Sequence, residues 1–125
     1  MMTKAPKRRT ILLAEDEPLL RELGATILKQ AGYEAFTAPN AEALRKFVAE
    51  HASKIDLLLT DVVMPGMSGQ ELVRLVRTRW PEVRVLYMSG YADDEIEGLG
   101  PDAGFLQKPF TPTELTAKIE QMLGK

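Results

Sequence analysis

The chain has 125 residues, of which 45% are hydrophobic and 27% charged, with a net charge of −2 at pH 7 and no cysteine. This length fits one domain with its own core, and the lack of cysteine excludes disulfides, thiolate nucleophiles and cysteine zinc sites. The slightly acidic balance does not favour nucleic-acid binding, which ordinarily needs a basic surface. The polar, basic segment 1–9 lacks the apolar stretch of a secretory signal, and no run approaches the roughly 18 apolar residues of a membrane span. We expect a disordered lead-in or linker end over 1–9, no direct nucleic-acid binding and no membrane insertion by this segment.

Short apolar runs alternate with helical patterns along the rest of the chain. The continuous apolar run 11–14 is typical of a strand buried on both faces. Further strands are predicted at 33–38, 55–60, 83–88 and 105–106. Helices are predicted between and after them from apolar spacing and from capping residues, at Leu20–Ala31, from Asn40 to Val48, from Ser68 to Val76, and from Thr111 to Leu123.

This alternation predicts an α/β fold over residues 10–124. A doubly wound, five-stranded parallel sheet of order 2-1-3-4-5, with helices on both faces and right-handed crossovers, suits the length best. The segment 91–104 contains three glycines and one proline, which are poor helix formers. We therefore predict a short or irregular fourth helix there.

Chemically informative residues follow the strands at their carboxyl ends. Glu15 and Asp16 come after the first strand, Asp61 ends the third, Ser89 ends the fourth and Lys108 follows the fifth. Parallel strands about 5 Å apart place these positions along one edge of the sheet, where ligands bind in such folds.

Three carboxylates in one cleft require a cation or raised pKa values. Oxygen ligands without histidine or cysteine suit a hard cation, and Mg²⁺ is the usual one beside phosphate. With Lys108 and the Ser89 hydroxyl nearby, Asp61 is arranged to act as a nucleophile on phosphorus and to form an acyl phosphate.

Four sequence blocks carry a resemblance to a known family: LLAEDEP at 12–18, LTDVVMPGMSG at 59–69, MSGY at 88–91 and LQKPF at 106–110. In this order and spacing they resemble the receiver domains of bacterial response regulators and hybrid histidine kinases. The resemblance covers roughly residues 10–123 and implies the flavodoxin-like fold of CheY-like receivers. It also implies that the chain is a phosphoacceptor of a two-component phosphorelay, modified to 4-aspartylphosphate. The resemblance implies a cytoplasmic location.

The resemblance implies that Asp61 takes the phosphoryl group from a histidine kinase or a histidine phosphotransfer domain. It assigns Mg²⁺ to Glu15, Asp16, Asp61 and the carbonyl of Val63. The chain departs from the family at Glu15, where aspartate, one methylene shorter, is commoner.

Further roles implied by the resemblance concern the phosphoryl group and the switch. Lys108 and Ser89 would bind the phosphoryl group, helped by the backbone N–H groups of Val62 and Gly90. Ser89 and Phe105 would be the switch residues, and phosphorylation would draw Phe105 inward. The peptide bond between Lys108 and Pro109 is expected to be cis.

The resemblance also bounds the kind of protein. The chain would catalyse its own phosphorylation and dephosphorylation rather than act as an enzyme on other substrates. The block at 88–91 and the reduced fourth helix favour a receiver from a hybrid kinase, or a single-domain regulator, and allow at most a weak homodimer. Val63 and Tyr91 are the residues expected to set the phosphoryl lifetime.

Three other functions stay open. A flavin or nucleotide binder of the same fold would need a phosphate loop where this chain has acids at 15–17. A phosphatase with an aspartate nucleophile would need a second acid where Val63 stands. A degenerate interaction module would not need the retained Asp16, Asp61, Ser89 and Lys108.

Overall fold

The computed structural model describes residues 8–89 and 103–124, with only the backbone at position 63. Within these ranges the elements follow one another in this order: β1 (Thr10–Ala14), α1 (Pro18–Gln30), β2 (Glu34–Ala38), α2 (Ala41–Glu50), β3 (Leu57–Asp61), β4 (Val63–Met64), β5 (Met67–Ser68), α3 (Gly69–Arg79), β6 (Arg84–Ser89), β7 (Gly104–Gln107) and α4 (Pro112–Leu123).

Five of the strands form one parallel sheet of order β2-β1-β3-β6-β7. Numbered among themselves, these strands have the predicted order 2-1-3-4-5, so the fold class is confirmed. The helix predicted over 91–104 falls almost entirely outside the described residues; of that range, Ala103 and Gly104 are described, and Gly104 begins β7.

The sheet separates two hydrophobic cores. Alternate residues of the central strands point to opposite faces, so that Leu12 and Leu58 pack on the side of α2 and α3, while Leu13 and Leu59 pack on the side of α1 and α4. Strands β1, β3 and β6 are buried on both faces, which explains their continuous apolar sequences. The sheet therefore holds its strand ends at fixed relative positions.

The helices begin where the capping residues predict. Glu17 accepts a hydrogen bond from the Leu19 N–H at the start of α1, and Pro18 is the first helical residue. Capping boxes open α3, through Ser68 and Glu71, and α4, through Thr111 and Glu114. These caps fix the entry points of helices that flank the carboxyl ends of the strands.

The segment after Asp61 forms a small antiparallel hairpin of β4 and β5, although the proline and glycine at 65–66 are typical of a plain loop. Its turn contains Pro65 and Gly66, and the φ of +85° at Gly66 is one that glycine adopts without strain. At Gly69 a Cβ atom would lie 2.6 Å from the carbonyl oxygen of Val62, so glycine alone lets α3 begin against the backbone that follows Asp61.

Among the described residues, no helix combines the length and the apolar character that crossing a membrane requires.

Candidate functional site

The carboxyl ends of three strands meet at one ammonium group. Lys108, just after β7, donates from Nζ to Oδ1 of Asp61 at 2.6 Å and to Oε1 of Glu15 at 3.1 Å. Asp61 is the last residue of β3, and Glu15 directly follows β1. Lys108 and Glu15 are 93 positions apart in the chain, so this contact exists only because the parallel sheet aligns the strand ends.

The loop between β1 and α1 is held through its backbone. The Glu15 N–H donates to the carbonyl of Ala38 at 3.2 Å, and the Glu17 N–H donates to Oε2 of Glu15 at 3.1 Å. The Arg21 guanidinium, from the first turns of α1, donates to the carbonyls of Glu15 at 3.0 Å and Asp16 at 3.4 Å. These bonds set the directions in which the two acidic side chains leave the loop.

Burial governs the protonation of Asp61. Only 9% of the residue is exposed, and burial, reinforced by a hydrogen bond with Glu15, raises its pKa from 3.8 to about 7 although Lys108 opposes the shift. Glu15 shifts the other way: burial disfavours its charge, but hydrogen bonds from Asp61, the Glu17 N–H and Lys108 outweigh burial and lower its pKa. Without a metal, Asp61 is therefore the carboxyl of the pair that holds a proton below neutral pH.

Lys108 stays positively charged in this environment. Burial alone would lower the pKa of its ammonium, but the hydrogen bonds and charges of Asp61 and Glu15 outweigh burial and raise it. The site thus combines a fixed cation with a buried carboxylate on the same strand ends.

The three acidic side chains also form a group that could hold a metal ion. Oxygen atoms of Glu15, Asp16 and Asp61 all lie within 4.8 Å of one another. Two ligands of one Mg²⁺ can be at most about 4.2 Å apart, since each metal–oxygen bond is about 2.1 Å. Small side-chain adjustments would therefore suffice, and an all-oxygen donor set fits a hard cation.

The residues predicted to bind phosphate and to switch lie at the neighbouring strand ends. Ser89 ends β6 with 4% of its surface exposed, and its carbonyl accepts a hydrogen bond from the Lys108 N–H at 2.8 Å. Phe105 lies on β7 beside Tyr87 and packs, half-buried, against the core under α2 and α3. Their roles in binding and switching stay predictions.

The backbone groups assigned from the resemblance lie partly within the described residues and partly outside them. The Val62 N–H donates to the Met88 carbonyl at 3.1 Å, so a phosphoryl group would compete with that carbonyl for it. Val63 pairs with Ser68 in the hairpin. Gly90 and Tyr91 lie outside the described residues. The peptide bond between Lys108 and Pro109 is cis, as expected.

Two features near the site are not part of the sequence prediction. The contact of Arg21 with the acidic loop is one, and its only sequence signal is an arginine one turn into the helix that follows the acids. The second is an apolar groove of about 510 Å³ between α1 and the segment after Lys108. Beside it Leu19, Leu20 and Leu23 are 76%, 42% and 56% exposed.

Comparison with known families gives a match over most of the chain. The family model described as response regulator receiver domain matches residues 11–120. This range includes Glu15, Asp16, Asp61 and Lys108.

Similar proteins include both long and short chains. The sensor kinase CckA of Brucella abortus is 36% identical over 93% of this chain, which spans 13% of that kinase. The response regulator receiver protein CpdR of Brucella abortus is 35% identical over 92% of this chain, which spans 97% of it. A response regulator receiver protein from Sinorhizobium medicae has a crystal structure with a TM-score of 0.83, 30% identity and coverage of 94% of this chain and 96% of that one. Of several other curated relatives the chain spans about half the length or less.

The pKa of Asp61 leads to a prediction about stability. Because folding raises this pKa, the proton on Asp61 stabilises the fold below pH 3.8, and that stabilisation is lost as the pH rises through about 7. Without Mg²⁺, Asp61→Asn should therefore raise the free energy of unfolding at pH 8 by on the order of 1 kcal/mol and leave it nearly unchanged at pH 4. Urea unfolding at both pH values measures this difference. Equal stability of the variant and the wild type at pH 8 would contradict the burial argument.

Proposed function

The chain belongs to the response regulator receiver domain family, and we propose that it takes a phosphoryl group from a phosphohistidine onto Asp61 with Mg²⁺ bound beside it. Membership makes it a phosphoacceptor of two-component signalling. The assignment to Asp61 is supported above all by the contact of this carboxylate with Lys108 at 2.6 Å. Asp61 and Lys108 both lie at the sheet edge where folds of this kind bind ligands.

The proposed reaction is a direct transfer. A carboxylate oxygen of Asp61 attacks the phosphorus atom of the donor, the phosphorus–nitrogen bond breaks, and its electron pair stays on the imidazole nitrogen, which takes up a proton from the solvent. The product is an acyl phosphate on Asp61 and a free histidine on the donor. Asp61 must be deprotonated to attack, and Lys108 then compensates charge on the phosphoryl oxygens.

Glu15, Asp16 and Asp61 would hold the Mg²⁺, with the carbonyl of Val63 as a further ligand. The bound ion supplies positive charge that stabilises the negative charge of the phosphoryl oxygens. It would also favour the deprotonated form of Asp61, whose pKa burial raises to about 7.

We propose that Ser89 and Phe105 transmit the change. Ser89 lies at the end of β6, and Phe105 is half-buried on the adjacent strand β7. A movement of Ser89 toward the phosphoryl group would therefore act directly on the strand that carries Phe105. The backbone N–H groups of Val62 and Gly90 are proposed as further phosphoryl contacts. The chain would act on no other substrate and would catalyse only its own phosphorylation and dephosphorylation.

The relatives differ in length, and two kinds of protein carry a segment similar to this chain. A sensor kinase carries a similar segment as a small part, and CpdR consists almost entirely of it. We propose that this chain is a receiver of one of these two kinds, that it acts in the cytoplasm and that its donor is a histidine kinase or a histidine phosphotransfer domain.

The donor would dock on α1. A phosphohistidine must approach the carboxyl edge of the sheet, and α1 begins at that edge directly after Glu15 and Asp16. Its outer face presents Leu19 and Leu23, both more than half exposed, beside the apolar groove. Exposed leucines grouped next to a reactive site are typical of a protein interaction surface.

Docking on α1 can be separated from chemistry. Leu23→Ser should lower the rate of phosphoryl transfer from a phosphorylated histidine domain at least tenfold, because a buried apolar contact is lost at the interface. The rate with acetyl phosphate should stay within about twofold, since a small donor does not use the interface. Both rates are measured on the same preparation. An equal loss with both donors would place the effect in the active site instead.

The phosphorylation site is tested by intact mass spectrometry. Incubation with acetyl phosphate or phosphoramidate should add one phosphoryl group to the wild type only when Mg²⁺ is present. Asp61→Asn should abolish the gain, because the amide is not a nucleophile of this kind. Asp56→Asn is the matched control, since the Asp56 carboxylate accepts a hydrogen bond from the Thr10 N–H at the amino ends of the strands, away from Asp61.

Two results would contradict the proposal. A full gain of mass in Asp61→Asn would mean that another residue is the acceptor. No gain in the wild type with any small donor would favour a degenerate interaction module.

A further inference from the structure

Arg21 lies in α1, yet its guanidinium turns back to the loop that precedes the helix. Nη1 donates to the carbonyl oxygens of Glu15 at 3.0 Å and of Asp16 at 3.4 Å. The Arg21 side chain therefore ties two consecutive acidic residues to the body of the helix through their backbone.

These contacts matter because Asp16 has little else to orient it. The Glu15 side chain is buried and held by the Glu17 N–H and by Lys108. Asp16 is exposed, so the direction of its carboxylate depends on the conformation of its backbone. In the described part of the chain, the bond that its carbonyl accepts comes from Arg21.

The Arg21 guanidinium contacts the backbone of the acidic loop and not the carboxylates. Within the described ranges Arg21 forms no ion pair, and its bonds go to carbonyl oxygens. An arginine used only for its charge would instead be expected to form a forked pair with a carboxylate.

We propose that Arg21 is a positioning residue for the divalent cation site, fixing the Glu15–Asp16 backbone so that both carboxylates face Asp61. This inference rests on the proposed Mg²⁺ site and adds a residue to which no role is otherwise assigned. The positioning role and the charge of Arg21 predict opposite effects on the affinity for the cation. Removing a positive charge beside a cation site should tighten binding if charge dominates, whereas losing the positioning should weaken it.

The test is the Mg²⁺ dissociation constant of the unphosphorylated protein, measured by calorimetry. Arg21→Gln should weaken binding about tenfold, the lower end of the range for residues that orient metal ligands. Arg21→Lys keeps the charge, but its side chain is shorter and its ammonium cannot reach the carbonyls as the Nη1 of Arg21 does, so its constant should fall between the two.

Arg79→Gln is the matched control. Arg79 also donates to main-chain carbonyls, those of Val48, Ala49 and His51, but at the end of α2 and away from the acids. This variant should bind Mg²⁺ as the wild type does, even if its thermal stability falls.

A second readout separates positioning from a general loss of structure. In phosphorylation by acetyl phosphate, Arg21→Gln should raise the half-saturating Mg²⁺ concentration by the same factor as the dissociation constant. The maximal rate at saturating Mg²⁺ should stay close to that of the wild type. A misfolded variant would lose the maximal rate instead.

Each other outcome has a definite meaning. If either Arg21 variant binds Mg²⁺ as tightly as the wild type, or more tightly, the positioning role is wrong while the proposed function stands. If the wild type binds no Mg²⁺, the metal site and the role of Arg21 both fall. Asp61 could then still be phosphorylated, and the mass measurement decides that separately.

Discussion

The contact of the Lys108 ammonium with the carboxylates of Asp61 and Glu15 is the interaction on which the site depends. It joins residues at or just beyond the ends of β7, β3 and β1. A buried carboxylate is costly unless an opposite charge and hydrogen bonds compensate it, and Lys108 supplies both. The ammonium thus allows Asp61 to lie nearly buried at the carboxyl ends of the strands.

Parallel pairing is what brings these charges together. The register places Ala14 beside Thr60, Asp61 beside Met88 and Ser89 beside Gln107, so the strands end nearly level. The acids that follow β1 therefore stand next to Asp61. Burial, reinforced by the hydrogen bond with Glu15, raises the pKa of Asp61, and a divalent cation bound at this place would lower it. The clustering of the acids and the proposed cation site therefore both follow from the alignment of the strand ends.

Much of this could be predicted from the sequence, because strands, helix caps and strand-end residues leave local signals. Contacts that depend on the folded register left none, such as the bond from the Val62 N–H to the Met88 carbonyl. Leu20, Leu23 and Ile27 have the spacing of one helix face, yet of these three only Ile27 is buried. Spacing defines the face of a helix but does not say how far a neighbouring element covers it.

The most direct test of the central claim, that this cluster makes Asp61 a phosphoacceptor, is chemical trapping of the modified residue. Borohydride reduces an aspartyl phosphate to homoserine, which peptide mass spectrometry can locate. After incubation with acetyl phosphate and Mg²⁺, the account predicts homoserine in place of Asp61 and at no other aspartate. Homoserine in place of Asp16 or Asp56, or none anywhere, would contradict it.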